Sequence, residues 1–154
     1  MIKEHKKQAV AHPYEASDYY VVDDLLTDEH KVIRSSVRNW LDLHISPFIN
    51  EWAQNNHCPK NLVGDMGALG LFGPSLPEDY GCPGLDEIAY GVIMQEIERV
   101  DSGIRSMCSV QGSLVMYPIY KYGNEEQKRK YLPRLASGEL MGCFGLTEPD
   151  HGSN

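Results

Sequence analysis

From Leu25 onward the chain alternates between stretches whose apolar residues recur every three or four positions and short runs dense in proline and glycine. In the first stretch Val32, Ile33, Val37, Trp40, Leu41 and Leu43 fall at helical spacing and describe one buried stripe. Thr27 is placed to cap this helix with its hydroxyl, and Asp28 and Glu29 put negative charge on the first turn, where the helix dipole favours it. Pro47 breaks the pattern, and Phe48, Ile49 and Trp52 predict a second, short helix. Leu62, Met66 and Leu69 share one face of a third, expected over 60–71. The run FGPSLPEDYGCPGLD then reads as a loop, either a plain connector or a turn lining a substrate. Between Leu85 and about Val100, the positions Ile88, Val92, Ile93, Gln95, Glu96 and Ile97 predict a helix too apolar for a surface element. Ser102 is expected to cap a longer helix carrying Met107, Val110, Leu114, Val115 and Ile119 at helical intervals. Gly123 ends it and Asn124 can cap the next, EEQKRKYLPRLA, in which acids precede bases as the dipole prefers, until Gly138 stops it.

Leu140 to Leu146 alternates imperfectly and reads as a strand running into a turn at Pro149-Asp150-His151-Gly152. The expected fold is therefore mainly α: an arm over residues 1–26, a helical domain over 27–138, and the first strand of a β-domain over 139–154. One strand cannot satisfy its own backbone groups, so it must pair with something outside this sequence or the chain is truncated, and truncation is the expectation.

Composition narrows the function classes. A chain of 154 residues, 42% hydrophobic and 23% charged, has the make-up of one ordinary globular domain with a genuine core. The net charge of −8 argues against a nucleic-acid partner, which needs a basic face to neutralise phosphates, although one local arginine or a helix N-terminus still suits an anionic ligand. Cys58, Cys82, Cys108 and Cys143 form no CxxC pair and no histidine completes a metal spacing, so reduced, partly buried thiols are expected and no metal. No run of about 18 apolar residues predicts a membrane span. MIKEHKKQAV has no apolar segment behind its lysines, and Glu4, Glu15, Asp18, Asp23 and Asp24 make the start too acidic for a mitochondrial transit peptide, so a cytoplasmic prokaryotic protein is expected rather than one of the mitochondrial matrix.

Three segments together resemble the acyl-CoA dehydrogenase family: EIERVDSGIRSMCSVQGSLVMYPIYKYG, NEEQKRKYLPRLASGELMGCFG and LTEPDHGSN. The resemblance runs from about Thr27 to the last residue, and ERVDSG-x-RS with CFGLTEP is most similar to the glutaryl-CoA dehydrogenase branch. Ile104 stands where that branch commonly has an aromatic residue, and Met107-Cys108 where smaller ones are usual. The resemblance implies an N-terminal helical domain followed by a β-domain and a C-terminal helical domain, a homotetramer, FAD as cofactor, an acyl-CoA substrate and an electron-transferring flavoprotein as electron acceptor. It places Phe144, Gly145, Leu146, Thr147, Glu148, Pro149, Asp150, His151, Gly152 and Ser153 along the FAD, with Leu146 and Thr147 near the pyrimidine edge. Ser153 is expected near the pyrophosphate and the acyl-CoA, where a glycine such as Gly152 lets backbone N–H groups approach a phosphate. Glu148 is expected to be structural and His151 a turn residue; on chemistry alone the whole segment reads as an ordinary strand and turn.

By the same resemblance Arg105 binds the distal carboxylate of glutaryl-CoA, with Ser106 adding a hydrogen bond, Glu98 positioning the arginine and Val110 lining the pocket one turn on. On spacing alone Arg105 pairs structurally with Asp101 or Glu98 instead, across an expected break at Asp101-Ser102-Gly103. The family's catalytic base, a glutamate, belongs to the C-terminal domain, so no residue of this chain is assigned as catalytic. Three further readings stay open: a short-chain acyl-CoA dehydrogenase, an oxidase of the same superfamily, and a non-catalytic helical interaction module.

Overall fold

A computed structural model describes residues 19–153, so most of the expected arm lies outside the described residues. A 3-10 turn at Val22–Leu25 leads into helix α1 (Asp28–His44). There follow α2 (Ile49–Gln54), α3 (Lys60–Ala68), a 3-10 turn at Glu78–Tyr80, α4 (Glu87–Val100) and α5 (Ser102–Ser109). α5 passes without a break into π-helical turns at Val110–Met116, then α6 (Tyr117–Tyr122) and, after Gly123 and Asn124, α7 (Glu125–Ala136).

The caps form where local chemistry placed them. Thr27 Oγ1 accepts the His30 N–H while the His30 ring nitrogen Nδ1 accepts the Thr27 N–H, each at 3.3 Å. Because Nδ1 is an acceptor, Nε2 carries the proton and donates to Asp86, 3.0 Å away. Asp86 in turn accepts the Ala89 N–H at 2.8 Å and caps α4, so one His–Asp contact joins the N-termini of α1 and α4. Asn124 and Gln127 close a second capping box at α7.

α1 packs along α4, and α5, the π turns, α6 and α7 complete the bundle. Leu41, Ile45, Met66, Leu71, Phe72, Ile97, Met116 and Leu132 are fully buried in its core. The proline- and glycine-rich loop is a core element rather than a plain connector, since Phe72, Leu76 and Tyr80 are all buried. Inside the bundle the Glu96 carboxylate, 2% exposed, accepts from Arg38 Nε and Nη2 at 2.8 and 2.7 Å and from Arg99 Nε at 3.2 Å.

Several expected positions move. Val32, Leu43, Ile88, Leu69 and Leu114 are exposed, because each predicted stripe was wider than the face its helix buries. α3 ends at Ala68 rather than at residue 71. Asp101, not Ser102, caps α5: it is extended (φ −161°, ψ 125°) and accepts the Ile104 N–H at 2.8 Å. The long helix changes phase where the Tyr117 N–H bonds to the Gly112 carbonyl five residues back, immediately before Pro118, which has no N–H to continue an α-helical ladder. Gln111 and Met116 are buried in these turns, while Leu114 faces outward.

The strand expected over 140–146 forms no ladder among the described residues. The segment turns tightly at Gly145, where the Leu146 N–H donates to the Phe144 carbonyl at 3.1 Å, and a second tight turn follows in which Glu148 and His151 exchange two backbone hydrogen bonds at 3.2 Å. No described helix is long and apolar enough to cross a membrane.

Candidate functional site

The break at Asp101 builds the first half of the site. Its N–H closes the last turn of α4 on the Ile97 carbonyl while its side chain opens α5, and the chain turns sharply between them. Residues seven apart are thereby brought together: Arg105 Nε donates to Glu98 Oε2 at 2.6 Å, and the Ser102 hydroxyl donates to Glu98 Oε1 at 2.6 Å. One turn further on, Arg105 Nη1 donates to Ser109 Oγ at 3.1 Å, and Ser109 donates to the Ser106 carbonyl. The pairing with Glu98, the structural alternative for Arg105, is therefore present, while Asp101 is engaged as a cap instead. It is also the contact expected of a glutamate that positions the arginine. The two readings differ in what the rest of the guanidinium does.

Two of the five guanidinium N–H donors are used in these bonds, and the side chain is 35% exposed, so its outer edge can receive a planar anion. A solvent-exposed ion pair adds little to stability, so the bonds to Glu98 and Ser109 act mainly by restricting the rotamers of Arg105. Ser106 and Val110, half-buried, lie one and five positions further along, on the neighbouring helical face.

The Glu98 carboxyl is held below its ordinary value of about 4.5, first by the Ser102 hydroxyl and then by Arg105. A depressed folded-state pKa contributes stability above the unfolded value and loses it as pH falls through the folded value. The Glu98 carboxyl 13C resonance is therefore expected to titrate below about 4.5, with the Arg105 Nε resonance following it; titration at or above that value would mean that the pair is not formed in solution.

The second half of the site begins where α7 ends. Gly138 adopts φ 75° and the Leu140 N–H returns to the Arg134 carbonyl at 3.0 Å, reversing the chain. The segment is then fastened by Gln111, a residue that sequence reasoning passed over. Its side chain is fully buried; Nε2 donates to the Leu135 and Leu140 carbonyls at 2.9 and 2.8 Å, and Oε1 accepts the Gly142 N–H at 2.9 Å. Gln111 follows Ile104 and Cys108 at helical intervals on a buried stripe, and a polar residue in that place was the available signal.

Beyond Gly142 the chain is exposed through Ser153, with Phe144 half-exposed and Leu146 73% exposed. An added Cβ at Gly145 or at Gly152 would meet nothing within 4 Å, so the backbone is open to a flat ligand on these sides. No hydrogen bond or ion pair among the described residues links Phe144–Ser153 to the Arg105 cluster. The two halves are joined through α5 and the π turns that carry Gln111. The buried thiol of Cys108, pushed up to about 12 by burial, stays protonated and is not a nucleophile. Cys82 is likewise buried, whereas Cys58 and Cys143 are exposed and unpaired.

Comparison with known proteins gives this geometry a family. Residues 27–139 match the N-terminal domain of acyl-CoA dehydrogenases. A glutaryl-CoA dehydrogenase of Desulfococcus multivorans is 39% identical over 136 residues, covering 86% of this chain and 35% of that protein. The human mitochondrial short-chain specific acyl-CoA dehydrogenase is 34% identical over 129 residues, 84% of this chain and 31% of that protein. Among solved structures, a glutaryl-CoA dehydrogenase from Mycobacterium smegmatis in complex with FADH2 superposes with a TM-score of 0.83 at 46% identity, covering 88% of this chain and 35% of that one. The chain thus spans about a third of the length of the relatives it matches. With the fold, the helical boundaries and these matches in agreement, the chain belongs to the acyl-CoA dehydrogenase family, and residues 27–139 are its N-terminal helical domain.

Proposed function

We propose that this chain serves as the front of a complete FAD-dependent acyl-CoA dehydrogenase that oxidises glutaryl-CoA and decarboxylates the product to crotonyl-CoA and CO2. The observation that carries the substrate reading is Arg105, oriented by Glu98 and Ser109 with its outer edge exposed. A distal carboxylate is the feature that separates glutaryl-CoA from simple acyl-CoAs, and an arginine fork suits it. The similarity to glutaryl-CoA dehydrogenases from two bacteria supports the same choice.

The exposed segment fits a flavin. Phe144 and Leu146 offer apolar surface, the Leu146 carbonyl and the Thr147 backbone offer polar groups, and Gly152-Ser153 offers N–H groups open to a phosphate. Phe144 through Ser153 would hold the FAD, whose chemistry when bound is to accept the hydride leaving the substrate Cβ. This chain's residues would fix the distal carboxylate through Arg105 and Ser106, line the pocket with Val110, and present Ser153 to the pyrophosphate and acyl-CoA. The α-proton would pass to a base outside this chain, and electrons to an electron-transferring flavoprotein. We further place the complete enzyme in the cytoplasm, as a homotetramer acting in amino-acid catabolism.

Anaerobic mixing of the complete enzyme with glutaryl-CoA should bleach the flavin and release CO2 and crotonyl-CoA in equal amounts. Bleaching without CO2 would remove decarboxylation from the reading, and hydrogen peroxide formation in air would point to an oxidase. A second reading, a short-chain acyl-CoA dehydrogenase, is favoured by the human relative and by the Arg105–Glu98 pair serving structure alone.

A further inference from the structure

We propose that Gln111 is a positioning residue for the flavin: its amide sets where the segment Phe144–Ser153 leaves the helical domain. A fully buried carboxamide has at most two donors and one well-used acceptor to satisfy, and here all three are spent on backbone groups of one short stretch. Leu135 belongs to α7, Leu140 to the reversal after it, and Gly142 to the segment that leaves the domain, so a single side chain spans the helix end, the turn and the exit. Gln111 does for this segment what a neighbouring strand would do in a sheet, presenting a donor to Leu140 and an acceptor to Gly142, and its second donor ties both to the end of α7.

A second observation concerns the packing of the same segment. A Cβ at Gly142 would stand 2.4 Å from Val115 Cγ1, so the exit is pressed against the π turns and only glycine permits the approach. Gln111 and Val115 both lie in those turns, directly after the helix that carries Arg105. The turns that carry Gln111 and Val115 therefore set both the height and the direction at which residues 143–153 start. An error of one ångström at Gly142 carries into every flavin contact that follows it.

This inference rests on reading Phe144–Ser153 as flavin contacts, and it is independent of which acyl group is oxidised. The test has two arms. In this chain, amide exchange at Gly142 is measured for the native protein, Q111M (equal length, no polar atoms) and a packing control, M116A, which removes a fully buried side chain of the same turns. In the complete enzyme, FAD dissociation and the visible flavin spectrum are measured for the same proteins and for G142A, which displaces the segment from its own side while keeping the Gln111 side chain. Q111M should release the Gly142 amide to the exchange rate of the exposed tail. Q111M and G142A should each weaken FAD binding by about tenfold, the scale of one lost buried hydrogen bond, with the same change in spectrum. M116A should lower the unfolding midpoint and leave exchange at Gly142 and FAD affinity unchanged. If Q111M speeds exchange but neither it nor G142A alters FAD affinity or spectrum, Gln111 is structural only and the proposal fails. Unchanged exchange in Q111M would equally overturn it. A native complete enzyme that binds no FAD would instead refute the flavin reading of the segment.

Discussion

Replacing Arg105 by alanine in the complete enzyme is expected to reduce kcat/KM for glutaryl-CoA by about a hundredfold while leaving butyryl-CoA within about threefold of the native value, because a charge-assisted, bidentate contact contributes roughly 1.5–3 kcal/mol and serves only the substrate that carries the second carboxylate. The loss has two sources. The distal carboxylate gives up its partner, and Glu98, which now faces Arg105 at 2.6 Å, becomes an uncompensated like charge beside it. Arg105→Lys should fall between, since lysine restores the charge without the planar fork. Steady-state kinetics on both substrates checks this. An equal loss on the two thioesters would mean that Arg105 works only as the structural partner of Glu98, and that role predicts little change in stability either, as the pair is exposed.

The second large effect concerns stability and can be measured on the chain itself. Arg38→Met should lower the free energy of unfolding in urea by about 2 kcal/mol, below the 3–5 kcal/mol quoted for fully buried pairs because Arg38 is half-exposed. The cost falls on Glu96, which keeps only the longer bond from Arg99 and remains inside the α1–α4 interface. Arg38→Met combined with Glu96→Met should recover most of that loss, since the buried charge goes with its partner. Additive losses in the double variant would show that packing by the Arg38 stem, not the charge pair, holds the two helices.

How much of this was legible in the sequence depended on how far each signal reached along the chain. Thr27 and Asn124 were readable as caps because their partners lie three residues away. The bundle followed from periodicity, though the faces came out too wide, and Val32 and Leu43 were assigned to a core they do not enter. The segment over 140–146 was read as a strand in need of a partner outside the sequence; among the described residues it has no ladder, and the turn at Gly145 was not foreseen. Arg105 and Glu98 were singled out together, and their contact across the Asp101 break agrees with the expected interruption there. Gln111 escaped notice because its partners lie 24 to 31 residues downstream, although its place on the Ile104–Cys108 stripe was readable.

The central claim is that Arg105 receives the substrate's distal carboxylate. The most direct measurement is a crystal structure of the complete enzyme with glutaryl-CoA bound. The account predicts the carboxylate oxygens at about 2.7–2.9 Å from the outer guanidinium nitrogens of Arg105, with Glu98 and Ser109 still holding its inner edge. A distal carboxylate seated elsewhere, with Arg105 closed on Glu98 alone, would contradict it.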